Sequence, residues 1–171
     1  MKPMFFTTLE FRLGHVFLAK TDKGLSVAEF LAGKKELKEA VGFFETKGIP
    51  LKLNRNKFRA EERLFTRYFE GKKEDFTSLD LDFISGTPFQ KKVWLAARKI
   101  PYGKTKTYKS LAESMNHSGY RSVGQALGRN PLLVVIPCHR VIGSDGNLGG
   151  FSAGLELKRF LLRLEGAQVK P

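Results

Sequence analysis

Residues 107–127, TYKSLAESMNHSGYRSVGQAL, decide the fold because they predict two short helices joined by a tight turn. Thr107 is a residue type that commonly caps the N-terminus of a helix. The turn at residues 116–119 ends in a glycine, which allows a sharp reversal of the chain. Apolar residues recur at helical spacing in both halves, namely Leu111, Ala112, Met115, Val123 and Leu127. The pattern is typical of a helix-turn-helix, and also of an ordinary corner between two packed helices.

The flanking sequence predicts a complete domain around this motif. Thr87-Pro88 fits an N-cap followed by a proline in the first helical turn, so a helix begins there. Residues 132–136 are a short apolar run between prolines, which indicates a buried strand or extended segment. A glycine-rich loop at residues 145–150 leads to an amphipathic helix over residues 155–164. We expect residues 86–171 to form a C-terminal winged-helix-like helix-turn-helix domain.

The first half of the chain has a different pattern. Apolar residues alternate loosely over residues 4–31, which predicts a β-meander with a turn at residues 22–24. Helix-like spacing runs from Val27 through Phe44, and a second helix covers residues 58–69. The overall fold class is therefore α+β. Residues 1–85 are expected to form a small N-terminal α+β domain with a short antiparallel sheet, in a supporting role.

The basic charge is concentrated in the second half. The chain has 171 residues and a formal net charge of +13 at pH 7. Residues 86–171 hold 14 Lys and Arg against four acids, whereas residues 1–85 hold 16 against 13. The excess therefore lies in the helix-turn-helix half, where it favours a polyanionic partner, nucleic acid before a membrane surface. A solvated basic surface or a charge-rich thermophilic protein is the alternative interpretation of the charge.

Several classes of protein are excluded by what the sequence lacks. The longest aliphatic run, residues 132–136, is too short to span a bilayer, and the N-terminus has no signal-peptide pattern. A cytoplasmic protein without a membrane partner is expected. A single cysteine, Cys138, excludes an internal disulfide and an all-cysteine metal cage. His15 and His117 offer no ligand spacing, so we expect neither a metal nor a cofactor.

Cys138 is the candidate for covalent chemistry. A lone cysteine is commonly a small buried hydrophobe, but this one follows a proline directly after a buried segment. His139 and Arg140 follow it, and either cation favours a thiolate. On an extended chain, however, adjacent side chains point to opposite faces, so His139 would need a bridging water or a turned backbone to reach the sulfur. That geometry argues against a direct cysteine–histidine dyad of the protease kind.

The residues around Cys138 resemble the active-site signature of the O6-alkylguanine-DNA alkyltransferases, also called methylated-DNA–protein-cysteine methyltransferases. The signature is Ile136-Pro137-Cys138-His139-Arg140-Val141. Further motifs of the family occur in order over about residues 86–167: Tyr108, Arg121-Ser122-Val123-Gly124, Gly128-Arg129-Asn130-Pro131, and Leu161-Leu162-Arg163-Leu164-Glu165-Gly166. Together they are highly specific, whereas residues 1–85 match only in length and general character.

The resemblance implies a role for each catalytic position. Cys138 would be the nucleophile that accepts the alkyl group from a guanine flipped out of the duplex. His139 would deprotonate it through a water, and Glu165 would orient and charge-stabilise that histidine. Tyr108 would donate a proton toward the departing guanine, and Asn130 would hold the segment that positions the site. The resulting thioether is stable, so each molecule would act once; O4-alkylthymine would be a second substrate.

The resemblance also implies a DNA interface and a substrate pocket. Double-stranded DNA carrying an alkylated guanine would be bound through its minor groove by a monomer. Arg121 would enter the space left by the flipped base, and the other DNA contacts would be Ser122, Gly124, Lys109, Asn116 and Ser144. Small residues on the second helix, Ala126 among them, would let it approach the groove closely. The pocket would be lined by Pro137, Val141, Phe151, Ser152 and Ala153.

Two alternatives of other classes remain open at this point. One is an alkyltransferase-like protein, which flips and flags the lesion without repairing it; that class lacks the acceptor cysteine, so Cys138 argues against it. The other is a thiol-based sensor, regulator or hydrolase that uses Cys138 and His139 without DNA. Uptake of one methyl group from O6-methylguanine DNA, lost in Cys138→Ser, would separate repair from both.

Overall fold

The computed structural model describes residues 2–170, and the chain divides between Ile84 and Ser85 into two compact units. The first unit contains a four-stranded sheet and two α-helices: β1 (Met4–Phe11), β2 (Gly14–Lys20), β3 (Leu25–Leu31), α1 (Lys34–Thr46), β4 (Leu51–Leu53) and α2 (Arg59–Phe69). The strand order is β3-β2-β1-β4. The first three strands form the predicted antiparallel meander, and β4 adds to β1 in parallel.

One predicted boundary in the first unit is wrong. Residues 27–31 belong to strand β3, and helix α1 begins only at Lys34. In the sheet Val27 lies opposite Ala19, and Phe30 lies opposite Val16. Residues 25–28 are buried in succession, as expected of a strand covered on both faces. A short apolar run of this kind has no periodicity that separates strand from helix.

The second unit is mainly helical. Its elements are α3 (Pro88–Arg98), β5 (Lys106–Thr107), α4 (Tyr108–Ser114), α5 (Tyr120–Leu127), β6 (Val141–Ile142) and α6 (Leu155–Leu164). Helix α3 begins with the predicted cap, in which Thr87 and Gln90 form a reciprocal capping box. The side chain of Thr107 accepts a 3.0 Å hydrogen bond from the Ser110 amide at the start of α4. No helix in residues 2–170 has the length and apolar character needed to cross a membrane.

Helices α4 and α5 are the two halves of the predicted helix-turn-helix. Asn116 adopts a left-handed conformation, with φ of 54°, which reverses the chain between them. His117 Nε2 lies 2.8 Å from Ser122 Oγ, and that hydroxyl donates to the Gly119 carbonyl at 2.7 Å. The indole Nε1 of Trp94 donates to the Ala126 carbonyl at 2.8 Å, which joins α3 to α5. These bonds hold the exposed face of α5 in a defined orientation.

The segment before Cys138 is a buried turn, and its prediction as a strand or extended segment is wrong. The Ile136 amide donates to the Leu132 carbonyl at 2.8 Å, and Val134 adopts a φ of 71°. Residues 138–140 then form one turn of 3-10 helix, so the chain around the cysteine is not extended either. The premise that neighbouring side chains alternate between two faces therefore does not apply to Cys138 and His139.

Candidate active site

Asn130 organises the turn that carries Cys138. Its Oδ1 accepts from the Leu132 amide at 2.9 Å, and its Nδ2 donates to the Ile136 carbonyl at 2.9 Å. The same Nδ2 lies 3.2 Å from Cys138 Sγ. Asn130 is itself buried, so one side-chain amide closes both ends of the turn and places a donor at the sulfur.

The surroundings of Cys138 have opposing effects on the pKa of its thiol. Burial raises the pKa of the thiol, because a thiolate is poorly solvated there. The hydrogen bond from Asn130 and the charge of Lys158 act in the opposite direction and lower it. The thiol form is favoured at rest, so ionisation of Cys138 requires a proton acceptor and a stabilised thiolate.

A buried ionic network lies next to the cysteine. His139 Nε2 is 2.7 Å from Glu165 Oε1, and both side chains are fully buried. Arg140 donates to the two oxygens of Glu165 from Nε and Nη2, each at 2.9 Å. Its Nη1 donates to the Ile100 carbonyl at 2.6 Å, and the Gly103 amide donates to Glu165 Oε2 at 3.1 Å. Arg140 was not among the residues to which the sequence assigned a role in this network.

The network has defined charges near neutral pH. Burial acts to raise the pKa of Glu165, but hydrogen bonds from His139 and Arg140 outweigh it and hold that pKa well below its usual range. Burial lowers the pKa of His139, although Glu165 opposes this. Glu165 is therefore a carboxylate and His139 a neutral imidazole, which is the form that accepts a proton.

Lys158 is a buried cation that the sequence reasoning missed. It lies on α6 with no exposed surface, and its Nζ donates to the carbonyls of Val141 at 2.7 Å, Gly150 at 3.1 Å and Leu148. Burial lowers the pKa of its ammonium to about 8, an effect that the charge of Cys138 opposes. Lys158 thereby joins α6 to strand β6 and to the glycine-rich loop. Its position beside Leu157 and before Leu161, on the inner face of a helix, was the available signal.

Tyr108, the first residue of α4, contacts a backbone carbonyl through its hydroxyl and lies near a buried ammonium group. Its hydroxyl lies 3.5 Å from the Gly150 carbonyl, at the long limit for a hydrogen bond, and Lys158 Nζ is 5.9 Å from its ring centre. Burial raises the pKa of the Tyr108 phenol, and the charge of Cys138 raises it further. Tyr108 is therefore a protonated hydroxyl that can act as a donor.

Cys138 and Tyr108 border a cavity of about 720 Å³ within the second unit. Its other walls are helix α5 along its whole length and the glycine-rich loop with the two residues after it. The lining residues are Cys138, Tyr108, Tyr120, Arg121, Gly124, Gln125, Leu127, Gly128, Gly150, Phe151 and Ser152. A cavity of this size holds a nucleobase-sized ligand. The aromatic rings of Tyr108, Tyr120 and Phe151 and the sulfur of Cys138 in its lining suit a planar ring that carries a transferable group.

The structure brings together some of the predicted site residues and separates others. Cys138, Tyr108, Arg121, Gly124, Phe151 and Ser152 share the cavity. Pro137 and Val141 are buried and Ala153 is half-buried; none of the three is among the cavity-lining residues. Lys109, Asn116 and Ser144 are exposed, whereas Ser122 uses its hydroxyl within the turn. Ala126 is buried in the unit, so the expectation that its small side chain helps the helix to approach DNA is wrong.

A helix-turn-helix whose second helix borders a cavity with a cysteine in its wall defines a DNA-binding protein with a reactive thiol. Two family models match the chain: the DNA-binding domain of 6-O-methylguanine DNA methyltransferase over residues 88–167, and the ribonuclease-like domain of the same protein over residues 4–83. The chain belongs to the 6-O-methylguanine DNA methyltransferase family, as the resemblance of its motifs predicted.

Relatives of known name are similar over nearly the whole chain. A methylated-DNA–protein-cysteine methyltransferase of Methanosarcina barkeri is 44% identical over 164 residues, which is 95% of this chain and 97% of the relative. An inducible enzyme of the same name from Bacillus subtilis is 37% identical and covers 95% of this chain and 90% of its own. The crystal structure of a Mycobacterium tuberculosis homologue in complex with DNA superposes with a TM-score of 0.79 at 30% identity, covering 95% of this chain and 93% of that one.

Proposed function

We propose that this protein repairs O6-alkylguanine in DNA by moving the alkyl group onto the sulfur of Cys138. The observation that carries the proposal is the position of that sulfur, in the wall of a cavity large enough for a nucleobase, beside the second helix of a helix-turn-helix. The name shared by the relatives supports the same reaction. O4-alkylthymine has the same bond between an exocyclic oxygen and an alkyl carbon, so it is a second substrate.

The first step is ionisation of the thiol. Nε2 of His139 is used by Glu165, so a proton from Cys138 enters the ring at Nδ1, through a bridging water. The imidazolium that forms is stabilised by the adjacent Glu165 carboxylate. Asn130 and Lys158 favour the thiolate, the first by a hydrogen bond and the second by its charge. His139 is thus the base, and Glu165 orients it.

The second step is an in-line displacement at the alkyl carbon. A sulfur–carbon bond forms as the carbon–oxygen bond to guanine breaks, and the electron pair of that bond goes to the base. Tyr108, held protonated, donates toward the guanine and stabilises it as it leaves. No group in the site can reverse a thioether, so each molecule accepts one alkyl group and is then spent.

DNA must present the base outside its stack, because the sulfur lies in the wall of a cavity. Arg121 is exposed at the start of α5 and enters the gap that the flipped nucleotide leaves, with the helix in the minor groove. Lys109, Asn116 and Ser144 contact the flanking DNA. Monomeric action, a cytoplasmic location and a supporting role for the first unit complete the proposal.

The test is a mass measurement on the intact protein. Incubation with a duplex containing O6-methylguanine should add the mass of one methyl group per molecule, and peptide mapping should place it on Cys138. Cys138→Ser should take up nothing while still binding the duplex. Binding without a mass gain in the parent protein would instead identify a lesion-flagging protein, and the absence of both would leave a thiol-based regulator.

A further inference from the structure

Helix α5 begins with a bulky aromatic residue that no internal contact explains. Tyr120 is 50% exposed and lines the cavity, as the next residue, Arg121, also does. Tyr102 and Tyr108 direct their hydroxyls to backbone carbonyls, and Tyr68 packs in an aromatic cluster. Across residues 2–170, Tyr120 has neither a hydrogen bond from its hydroxyl nor a ring partner. Because the ring borders the cavity that has Cys138 in its wall, Tyr120 is placed to contact DNA that presents a base to this cavity.

Two positions next to Tyr120 have no side chain. Gly119 precedes it, and Gly124 lies about one helical turn after it, on the same side of the helix. The ring of Tyr120 therefore projects from a surface that could otherwise approach DNA closely. Aromatic and apolar side chains that project from a groove-binding surface act as wedges against unstacked bases.

Tyr120 and Arg121 are consecutive on the helix, but their side chains point in different directions. Consecutive residues on an α-helix are about 100° apart around the axis, so the two side chains diverge. If Arg121 occupies the gap left by the flipped base, the Tyr120 ring reaches the neighbouring nucleotide. That nucleotide loses a stacking partner when the damaged base leaves, and an aromatic ring replaces the lost contact in a sequence-tolerant way.

We propose that Tyr120 is a second lesion-sensing side chain, whose ring stacks on the nucleotide next to the extruded base. It stabilises the extruded state and thereby raises affinity for damaged over undamaged duplex. The inference rests on the base-flipping function proposed above. The role of Tyr120 is thus distinct from those of Cys138, His139 and Arg121.

The test compares affinities for damaged and undamaged DNA in a Cys138→Ser background, which prevents reaction during the measurement. Tyr120→Ala should raise the Kd for a duplex containing O6-methylguanine by about 5- to 150-fold, the range expected for loss of one aromatic–base stack. The Kd for the same duplex without the lesion should change by less than about threefold, because its bases remain stacked. Leu95→Ala, which removes an apolar side chain of similar exposure from α3, is the matched control and should change neither value.

Two further variants separate stacking from bulk. Tyr120→Phe should retain damaged-duplex affinity, whereas Tyr120→Leu, which keeps an apolar side chain without a planar face, should lose it. Equal losses on damaged and undamaged duplexes, or no loss in Tyr120→Ala and Tyr120→Leu, would overturn the proposal. Methyl uptake by the parent protein is measured in parallel, so a failure of the repair function is distinguished from a failure of this inference.

Discussion

At the scale of single residues, the chemistry of Cys138 depends on side chains that lie far from it in sequence or that the sequence pattern did not single out. Asn130 forms hydrogen bonds with both ends of the turn and contacts the sulfur. The same side-chain amide therefore stabilises the turn and influences the reactivity of Cys138. Family resemblance identified Asn130, but periodicity could not, because its bonds depend on a turn that the apolar run concealed. Lys158 was missed for a related reason: a lysine on an apolar helix face is buried only if carbonyls from elsewhere surround it.

Replacing Asn130 tests this double role. Asn130→Ala leaves the Leu132 amide and the Ile136 carbonyl without their side-chain partner, which should lower the free energy of unfolding by about 1–3 kcal/mol. Loss of the hydrogen bond to sulfur should raise the pKa of Cys138 further, so the alkyl-transfer rate should need a higher pH to reach its plateau. Urea unfolding and single-turnover rates across pH measure the two effects. Asn147→Ala, in the exposed loop, is the control; a parent-like pH profile for Asn130→Ala would show that the sulfur contact is unimportant.

At the scale of elements, the sequence correctly predicted the helix boundaries that depend on hydrogen bonds between residues close in sequence. The caps at Thr87 and Thr107 placed the starts of α3 and α4 correctly, because a cap needs only residues within one turn. Residues 27–31 and 132–136 were assigned wrongly, since short apolar runs obtain their conformation from partners distant in sequence. The role of Glu165, directly after α6, also depends on residues distant in sequence, because the fold brings Gly103, His139 and Arg140 to its carboxylate.

Glu165→Gln tests how far this network stabilises the protein. The change leaves Arg140 buried without its carboxylate, which should cost about 3–5 kcal/mol of unfolding free energy at pH 7. The pKa of Glu165 is depressed in the folded state, so its stabilisation is complete above the ordinary carboxyl pKa of about 4.3 and is lost as pH falls below it. The difference between parent and variant in urea unfolding should therefore shrink as pH is lowered from 7 toward 3.5.

Glu156→Gln provides the control for that measurement, because Glu156 is an exposed acid in the first turn of the same helix. It should change stability by less than about 0.5 kcal/mol, as surface substitutions do. If Glu165→Gln cost no more than Glu156→Gln, or if its cost stayed constant down to pH 3.5, the carboxylate would not be the centre of the network.

At the scale of the whole molecule, the net positive charge is divided unevenly between the two units. Ten of the thirteen net positive charges lie in residues 86–171, where the cysteine cavity and the helix-turn-helix are. Composition was enough to predict this asymmetry. It could not identify the lysine and arginine side chains that contact DNA, because that depends on which face of α4 and α5 is exposed. Polyanion binding through such a surface releases counterions and therefore weakens as salt rises.

The salt dependence of DNA affinity should accordingly be carried by individual lysines of the second unit. Lys109 is exposed on α4, one residue after Tyr108, so Lys109→Ala should remove about one phosphate contact. The slope of log Kd against log salt concentration should fall by about 1, with a similar loss of affinity on damaged and undamaged duplexes. Lys72→Ala removes an exposed lysine of the first unit and the same formal charge. If both variants reduced the slope equally, net charge alone would determine binding; if neither did, the interface would lie on a face of the second unit that excludes Lys109.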